Sequence, residues 1–288
     1  MEQTRIALVQ MQSKLGEVKE NLQKMAFYIK KAAGDGVNII CFPELCVPCY
    51  SRDQSFRYAE PVPGESSRFL ANLARDNNIT VLAGLAEKPE TGGSHGEKPY
   101  ITQLVALPDG SVQKYRKTHL GRSEMPHFIP GNELPVFNTA SARFAVQICW
   151  DLHFPEVSTI LSLKGAEIIF APHASPAIVG DRKEIWLKYL AARAYDNTVF
   201  VAACNLAGGD GAGNNFCGGA LVLDPKGNVI AESFGDCENM LVADLDPDLI
   251  NTIRRQEART MRNIFFLAAR RPELYGELLT GNGQEKAD

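Results

Sequence analysis

Apolar residues in this chain gather in short, nearly unbroken runs: "RIALVQM" (5–11), "VNIICF" (37–42), "ITVLAGLAE" (79–87), "FAVQIC" (144–149), "AEIIFAP" (166–172), "TVFVAAC" (198–204) and "MLVADL" (240–245). Runs without polar alternation read as strands covered on both faces. "YITQLVALPDGSVQKYRKTHL" and "GGALVLDPKGNVIAES" read instead as strand pairs, turning at Pro108–Gly110 and Asp224–Gly227. Between these lie helical patterns. "EVKENLQKMAFYIKKAAGDG" places Val18, Leu22, Met25, Ile29 and Ala32 on one face and stops at glycine. "GESSRFLANLARDNN" does the same with Phe69, Leu70, Leu73 and Ala74. "EIWLKYLAARAYDN" and "PDLINTIRRQEARTM" complete the set, and Trp186 and Tyr189 in the former read as core or subunit interface.

Strand, helix and hairpin recur with no linker and no break in composition, which predicts one α/β domain over residues 1–279. "KPETGGSHGEKP" (Lys88–Pro99) is the most loop-like internal stretch, and "TGNGQEKAD" (280–288) reads as a disordered tail. No sequence repeat of fixed period is visible.

Composition narrows the function classes. A hydrophobic fraction of 45% and a charged fraction of 22% fit an ordinary globular protein. A net charge of -4, with no basic stripe, argues against a nucleic-acid surface. No run approaches the ~18 apolar residues of a membrane span, and "MEQTRIALVQMQ" lacks a signal peptide's basic start and apolar stretch. The expected location is the cytoplasm, where the seven cysteines stay thiols.

In open α/β sheets, ligands gather at the carboxyl ends of strands. Three predicted strands deliver polar residues there: "NIICFPE" ends at Glu44, "FAVQICWD" presents Cys149 and Asp151, and "EIIFAPH" ends at His173. "QKYRKTHL" brings Lys117 out of a fourth. Cys149 reads either as a small buried apolar residue or as a nucleophile. A nucleophilic thiol needs a base and a nearby positive charge, and Glu44 and Lys117 stand in comparable strand-end contexts.

"FPEL", "YRKTHL" and "CWD…PE", in this order, resemble the nitrilase superfamily of carbon–nitrogen hydrolases. Glu44 to Lys117 spans 73 positions and Lys117 to Cys149 spans 32. "PVPGESSRFLANLARDNNITVLAGLAE", "VFVAACN", "GGALVLDPKGNVIAE" and "RRPELY" are also similar to family segments, so the resemblance covers roughly residues 4–276. It implies a four-layer α-β-β-α sandwich, associating into αββα–αββα dimers or higher homo-oligomers, with the apolar-then-basic "FFLAARRPELYG" packing across the partner. It implies no metal and no organic cofactor. It implies a Glu44–Lys117–Cys149 triad: Glu44 as general base, Cys149 attacking a carbonyl carbon, and Lys117 with the Trp150 N–H holding the oxyanion. A thioester follows, and water hydrolyses it. Amidase-like members carry a second glutamate ahead of a Pro-Gly; "EMPHFIPG" fits, which assigns Glu124 to positioning the amide nitrogen and Lys117.

The substrate expected from this resemblance is a small linear amide or ureido compound, because Cys-Trp-Asp is more like the amidase and N-carbamoyl-amine hydrolase branches than the nitrile hydrolases. "WDLHFPE" has no arginine to hold a carboxylate, which favours a neutral or amine-bearing substrate. Tyr50, Phe128, Trp150, His153 and His173 are the candidate substrate contacts, with His127, Ser175 and Asn205 as further pocket candidates. A nitrile hydrolase, a non-catalytic relative that only binds, and a redox protein using the "CVPC" pair Cys46 and Cys49 remain as alternatives. Zinc is disfavoured, since Cys204, Cys217 and Cys237 are scattered and no H-x₃₋₅-H occurs. Cys41, Cys46 and Cys49 read as core or pocket lining.

Overall fold

The computed structural model describes residues 1–90, 98–255, 260 and 263–279. The expected tail, most of the Lys88–Pro99 loop and the end of the last expected helix lie outside the described residues. In chain order, the first half runs β1 (Thr4–Gln10), α1 (Val18–Gly34), β2 (Ile39–Cys41), α2 (Glu65–Asp76), β3 (Thr80–Glu87), β4 (Tyr100–Ala106) and β5 (Val112–Arg116). The second runs β6 (Phe137–Asn138), β7 (Arg143–Val146), α3 (Pro155–Leu163), β8 (Ile168–His173), α4 (Arg182–Asn197) and β9 (Phe200–Asn205). The short pair β10 (Ala207–Gly209) and β11 (Asn215–Cys217) follows, then β12 (Ala220–Leu223), β13 (Val229–Ser233), β14 (Asn239–Leu245) and α5 (Pro247–Arg254).

Two six-stranded sheets result, in the orders β14-β1-β2-β3-β4-β5 and β13-β12-β9-β8-β7-β6. Read from β5 and from β13, both show the same sequence of pairings: antiparallel, antiparallel, parallel, parallel, antiparallel. The chain therefore repeats a strand–helix–strand–helix–strand–hairpin unit, although no sequence repeat is legible. What recurs is the pattern of buried positions rather than the residues that fill them.

The unbroken apolar runs are explained by layering. Successive strand residues point to opposite faces. In β1, Ile6 and Leu8 face the second sheet, where they join Phe144, Val146, Phe170, Phe200 and Ala202 in one core. Ala7 and Val9 face outward against Leu22, Met25 and Ile29 of α1 and Leu70 of α2. On the far side, Ile169, Val201 and Leu221 pack under Trp186, Leu190 and Ala194 of α4, and Ala145 lies under Val157 and Leu161 of α3. The layers are α, β, β, α.

Both hairpins turn where expected. Gly110 N–H donates to the Leu107 carbonyl (2.9 Å), and Asp224 Oδ1 caps the second turn by accepting from Lys226 and Asn228 N–H. Two helical details differ from expectation. In α2 the buried stripe is Ser67, Leu70, Ala71 and Ala74, which turns Phe69 outward to 37% exposure. Helix α3 is absent from the sequence reading: "PEVSTILSL" is only nine residues, rich in serine and β-branched positions of modest helix propensity. Pro155 at its first position and burial of Val157 and Leu161 stabilise it instead. Among the described residues no helix is long and apolar enough to cross a membrane.

Candidate active site

Strand ends from both sheets converge on one buried cluster. Glu44 lies three residues beyond β2, Lys117 directly follows β5, and Cys149 lies three residues beyond β7. Glu44 and Lys117 are each 1% exposed. Lys117 Nζ donates to Glu44 Oε1 and to Glu124 Oε1, both at 2.8 Å. Glu124 Oε1 also accepts from the Tyr50 hydroxyl (2.9 Å), and its Oε2 from Gly121 N–H (2.8 Å). One ammonium is thus shared by two carboxylates, one of which is anchored twice more.

Two glycines make this convergence possible. A Cβ on Gly84 would stand 2.2 Å from the Leu45 nitrogen and 2.5 Å from the Pro43 carbonyl oxygen. Only glycine lets the Glu44 segment lie flush on β3, where Val47 N–H donates to the Gly84 carbonyl (3.0 Å). A Cβ on Gly131 would stand 2.4 Å from the Arg116 carbonyl oxygen, and Gly131 N–H donates to the Lys117 carbonyl at 2.8 Å. The Pro130–Gly131 pair after Glu124 therefore clamps the backbone that carries Lys117.

Cys149 opens a tight 3₁₀ turn, Cys149–His153, with φ +45°, in the left-handed region that non-glycine residues seldom occupy. Asp151 holds that turn. Its buried carboxylate accepts four hydrogen bonds: Oδ2 from Ile148 N–H and the Tyr115 hydroxyl (both 2.8 Å), and Oδ1 from His119 N–H (2.8 Å) and the Thr118 hydroxyl (3.0 Å). Tyr115, Thr118 and His119 flank Lys117. Asp151 thus ties the cysteine turn of the second sheet to the lysine segment of the first.

The electrostatics follow from burial. Desolvation raises the Glu44 carboxyl to about 7, against the lowering pull of Lys117. Burial alone would lower Lys117, but Glu44, Cys149 and Glu124 around it hold the ammonium well above the ordinary lysine value. The Cys149 thiol is pushed up to about 12, first by burial and then by the Glu44 charge, with Lys117 opposing. At rest the sulfur is a neutral thiol beside a carboxyl group that titrates near neutrality.

A wall of rings extends from the cysteine turn. Trp150, 44% exposed, packs on His153 (4.9 Å between centroids), and His153 packs on Tyr189 (4.7 Å). The Tyr189 hydroxyl lies 3.3 Å from His173 Nε2, and His173 stacks beside Trp186 (4.8 Å). Burial lowers His173 to about 3, so it is a neutral imidazole.

The expected substrate contacts divide accordingly. Tyr50, Trp150, His153 and His173 lie in or beside the cluster. Phe128 is 2% exposed and belongs to the core between the sheets; it reaches the site only through its N–H, which donates to the Glu124 carbonyl (3.0 Å). His127 turns away toward Asp53 (3.6 Å). Ser175 and Asn205 clamp each other, Ser175 N–H donating to Asn205 Oδ1 at 2.7 Å and Asn205 Nδ2 donating back to the Ser175 carbonyl at 3.2 Å. Trp186 is core, as expected; Tyr189, three positions along α4, is half-buried against the same cluster and also reaches His173 at the strand end. Neither its place nor the four donors to Asp151 left a signal in the sequence beyond the residues themselves. Cys41, Cys46 and Cys49 are wholly buried, and burial raises the thiols of all three. Cys46 Sγ donates to the Gly84 carbonyl (3.6 Å) and serves the packing under Glu44. Among the described residues no cluster of three or more His, Cys, Asp or Glu side chains is arranged to hold a metal ion.

The Carbon-nitrogen hydrolase family profile matches residues 5–255. The chain belongs to that family. This hydrolase is 32% identical over 283 residues to the probable nitrilase C965.09 of Schizosaccharomyces pombe, covering 96% of the chain and 98% of that protein. It is 31% identical over 282 residues to the omega-amidase NIT2 of Mus musculus, covering 94% and 96%. Among solved structures it is similar to a cysteine-to-alanine mutant of the amidase from Nesterenkonia sp. AN1 in complex with butyramide, with a TM-score of 0.80, 27% identity and coverage of 95% and 96%. A second structure of that amidase shows covalent addition of the acetamide moiety of fluoroacetamide at the active site cysteine (TM-score 0.80, 26% identity, coverage of 96% and 97%).

Proposed function

We propose that this enzyme hydrolyses the C–N bond of a small linear amide or N-carbamoyl amine through a thioester on Cys149, releasing ammonia. The observation that carries the reading is the buried Lys117 ammonium, held 2.8 Å from both Glu44 and Glu124 beside the Cys149 turn. The covalent route divides one difficult displacement into two easier ones.

Glu44 accepts the Sγ proton as sulfur bonds to the carbonyl carbon. A base titrating near 7 is matched to neutral pH. Negative charge develops on the carbonyl oxygen between the Lys117 ammonium and the Trp150 N–H; a donor placed this way is typically worth about 3–4 kcal/mol. Glu124, tied to Tyr50 and Gly121, orients the amide nitrogen. The C–N bond breaks, the protonated Glu44 gives its proton to the departing nitrogen, and ammonia leaves. Glu44 then takes a proton from water, whose oxygen attacks the thioester; the C–S bond breaks and sulfur regains its proton. For an amide the net change is amide plus water to acid plus ammonia; for an N-carbamoyl amine the carbamic acid formed with the ammonia loses carbon dioxide to leave the amine.

An ammonia-release screen over amides, ureido compounds and nitriles, with Cys149→Ala as control, tests this. Amides or ureido compounds should be turned over, with an acyl adduct trapped on Cys149 by mass spectrometry. Nitrile turnover matching that of the amides would transfer the assignment to nitrile hydrolysis. We further read residues 1–279 as one catalytic domain that works as a homodimer in the cytoplasm. Ile160 and Leu163 on α3, Tyr195 on α4 and Phe266 expose 39–48% of their surface, and Phe266 lies 5.4 Å from Tyr195. Light scattering tests the dimer.

A further inference from the structure

Asp151 holds the cysteine turn on the side of the first sheet. On its other side the turn meets α4. Leu152 is wholly buried there, in one cluster with Trp186, Leu190 and Ala194. Its carbonyl belongs to the same 3₁₀ turn as Cys149. The Ile148 and Asp151 carbonyls of this segment accept from the N–H three residues on, those of Asp151 (3.0 Å) and Phe154 (3.2 Å). The Leu152 carbonyl cannot be answered in that way, because the residue three positions on is Pro155, which has no N–H. A buried carbonyl left unmet is costly.

Arg193 supplies the donor. Its Nε–H bonds to the Leu152 carbonyl at 3.0 Å, across 41 positions of chain. Arg193 lies one helical turn beyond Tyr189 on α4, so the two share a side of the helix. Tyr189 packs on the His153 ring, and His153 packs on Trp150. One side of α4 thus backs the turn at both Leu152 and His153. Cys149 keeps φ +45°, a conformation that persists only where the surroundings fix it. Slack at Leu152 would pass directly to Trp150 and Cys149.

We propose that Arg193 is a positioning residue for the reaction: through the Leu152 carbonyl it holds the cysteine turn from the helix side, so that Sγ and the Trp150 N–H keep their places opposite Glu44 and Lys117. The proposal deepens the amide-hydrolase reading and rests on it. Arg193 acts through the turn and not on the substrate. Asp151 and Arg193 pin the same turn from opposite sides, one to the first sheet and the other to α4.

The test uses side-chain length. The arginine Nε follows Cδ directly, and so does the glutamine Nε2, whereas the lysine Nζ stands one atom further out. Arg193→Gln therefore keeps a neutral donor at the same reach, Arg193→Lys keeps the charge but displaces the donor, and Arg193→Met keeps neither. For each variant kcat and KM are measured on the best amide or ureido compound, well below its melting temperature, with circular dichroism to check that it is folded. Arg193→Met should lower kcat roughly 10- to 100-fold with KM little changed, the mark of misplaced reacting groups rather than of a lost substrate contact. Arg193→Gln should recover most of that loss, and Arg193→Lys less. A purely structural role would lower the melting temperature without this order in kcat. Should Arg193→Met fail to fold, the glutamine and lysine variants still decide, by which of the two has the higher kcat. Wild-type kcat in Arg193→Met, or recovery by lysine and not by glutamine, overturns the positioning role and leaves the hydrolase reading intact. Failure of the wild type to release ammonia from any amide or ureido compound overturns both.

Discussion

Replacing Asp151 by asparagine changes almost no volume, yet it should loosen the site. The carboxylate accepts from two backbone N–H groups and two hydroxyls, one of each at each oxygen. A carboxamide has one oxygen and one NH₂. Whichever way it is turned, the NH₂ faces either Ile148 N–H or His119 N–H. The hydroxyl of Tyr115 or Thr118 can rotate to accept, but a backbone N–H cannot. One buried donor is left unanswered, and the remaining bonds lose their charge assistance. The first term is about 1–3 kcal/mol and the second adds about 1 kcal/mol, giving a loss of about 2–4 kcal/mol. For a chain of this size the melting temperature should fall by roughly 4–12 °C. The same contact sets the spacing between the Cys149 turn and the Lys117 segment, and misplacement by about 1 Å costs on the order of 100-fold in rate. Differential scanning calorimetry and kcat on the best amide measure the two effects. Asp151→Ala, which strands all four donors, should melt lower still. An asparagine variant with wild-type melting temperature and wild-type kcat would refute the assignment of Asp151 as the tie between the sheets.

Other outcomes follow from the same geometry. Gly84→Ala should reduce kcat by 100-fold or more, because its Cβ must push the Leu45 nitrogen and Pro43 carbonyl away from 2.2 Å and 2.5 Å, taking Glu44 with them; a wild-type rate would show that the Glu44 segment can shift without consequence. The acid limb of kcat/KM should have its midpoint near 7, rising with pH as Glu44 loses its proton, and no midpoint attributable to Lys117 should appear below its ordinary 10.5; a pH–rate profile checks both. Because the folded Glu44 pKa lies above its ordinary 4.5, the folded state holds this proton more tightly, so its contribution to stability should be present below about pH 4.5 and decline as pH rises through about 7; Glu44→Gln should flatten that slope in pH-dependent melts. Cys46→Ala with Cys49→Ala should keep most activity at a stability cost of about 1–2 kcal/mol, whereas Cys149→Ala should abolish turnover, and the opposite pattern would revive the redox reading.

Much of this was legible in the chain. The unbroken apolar runs foretold strands buried on both faces, because a strand pressed between a helix layer and a second sheet has no face left for polar side chains. The ends of those runs located Glu44, Lys117 and Cys149. Less legible was whatever depends on two elements meeting. The four donors to Asp151 come from segments 32–36 positions apart and from its own turn. Tyr189 has the spacing of a core residue on an amphipathic helix, and only the placement of α4 over the end of β8 shows that it reaches the site. Phe128 sits beside a motif and yet fills the core, since an apolar ring next to Glu124 gains more between the sheets than at a mouth. Helix α3 went unseen because packing and its proline start outweigh weak propensity.

The reactive ensemble is divided between two look-alike halves of the chain. The base and the ammonium belong to the part synthesised first, the sulfur to the part synthesised later. On the proposed mechanism neither half holds a complete reaction centre, because the thiol that burial and the Glu44 charge keep protonated in the closed molecule needs the base and the ammonium of the other half. Catalytic competence should therefore appear only once the two sheets have closed on each other.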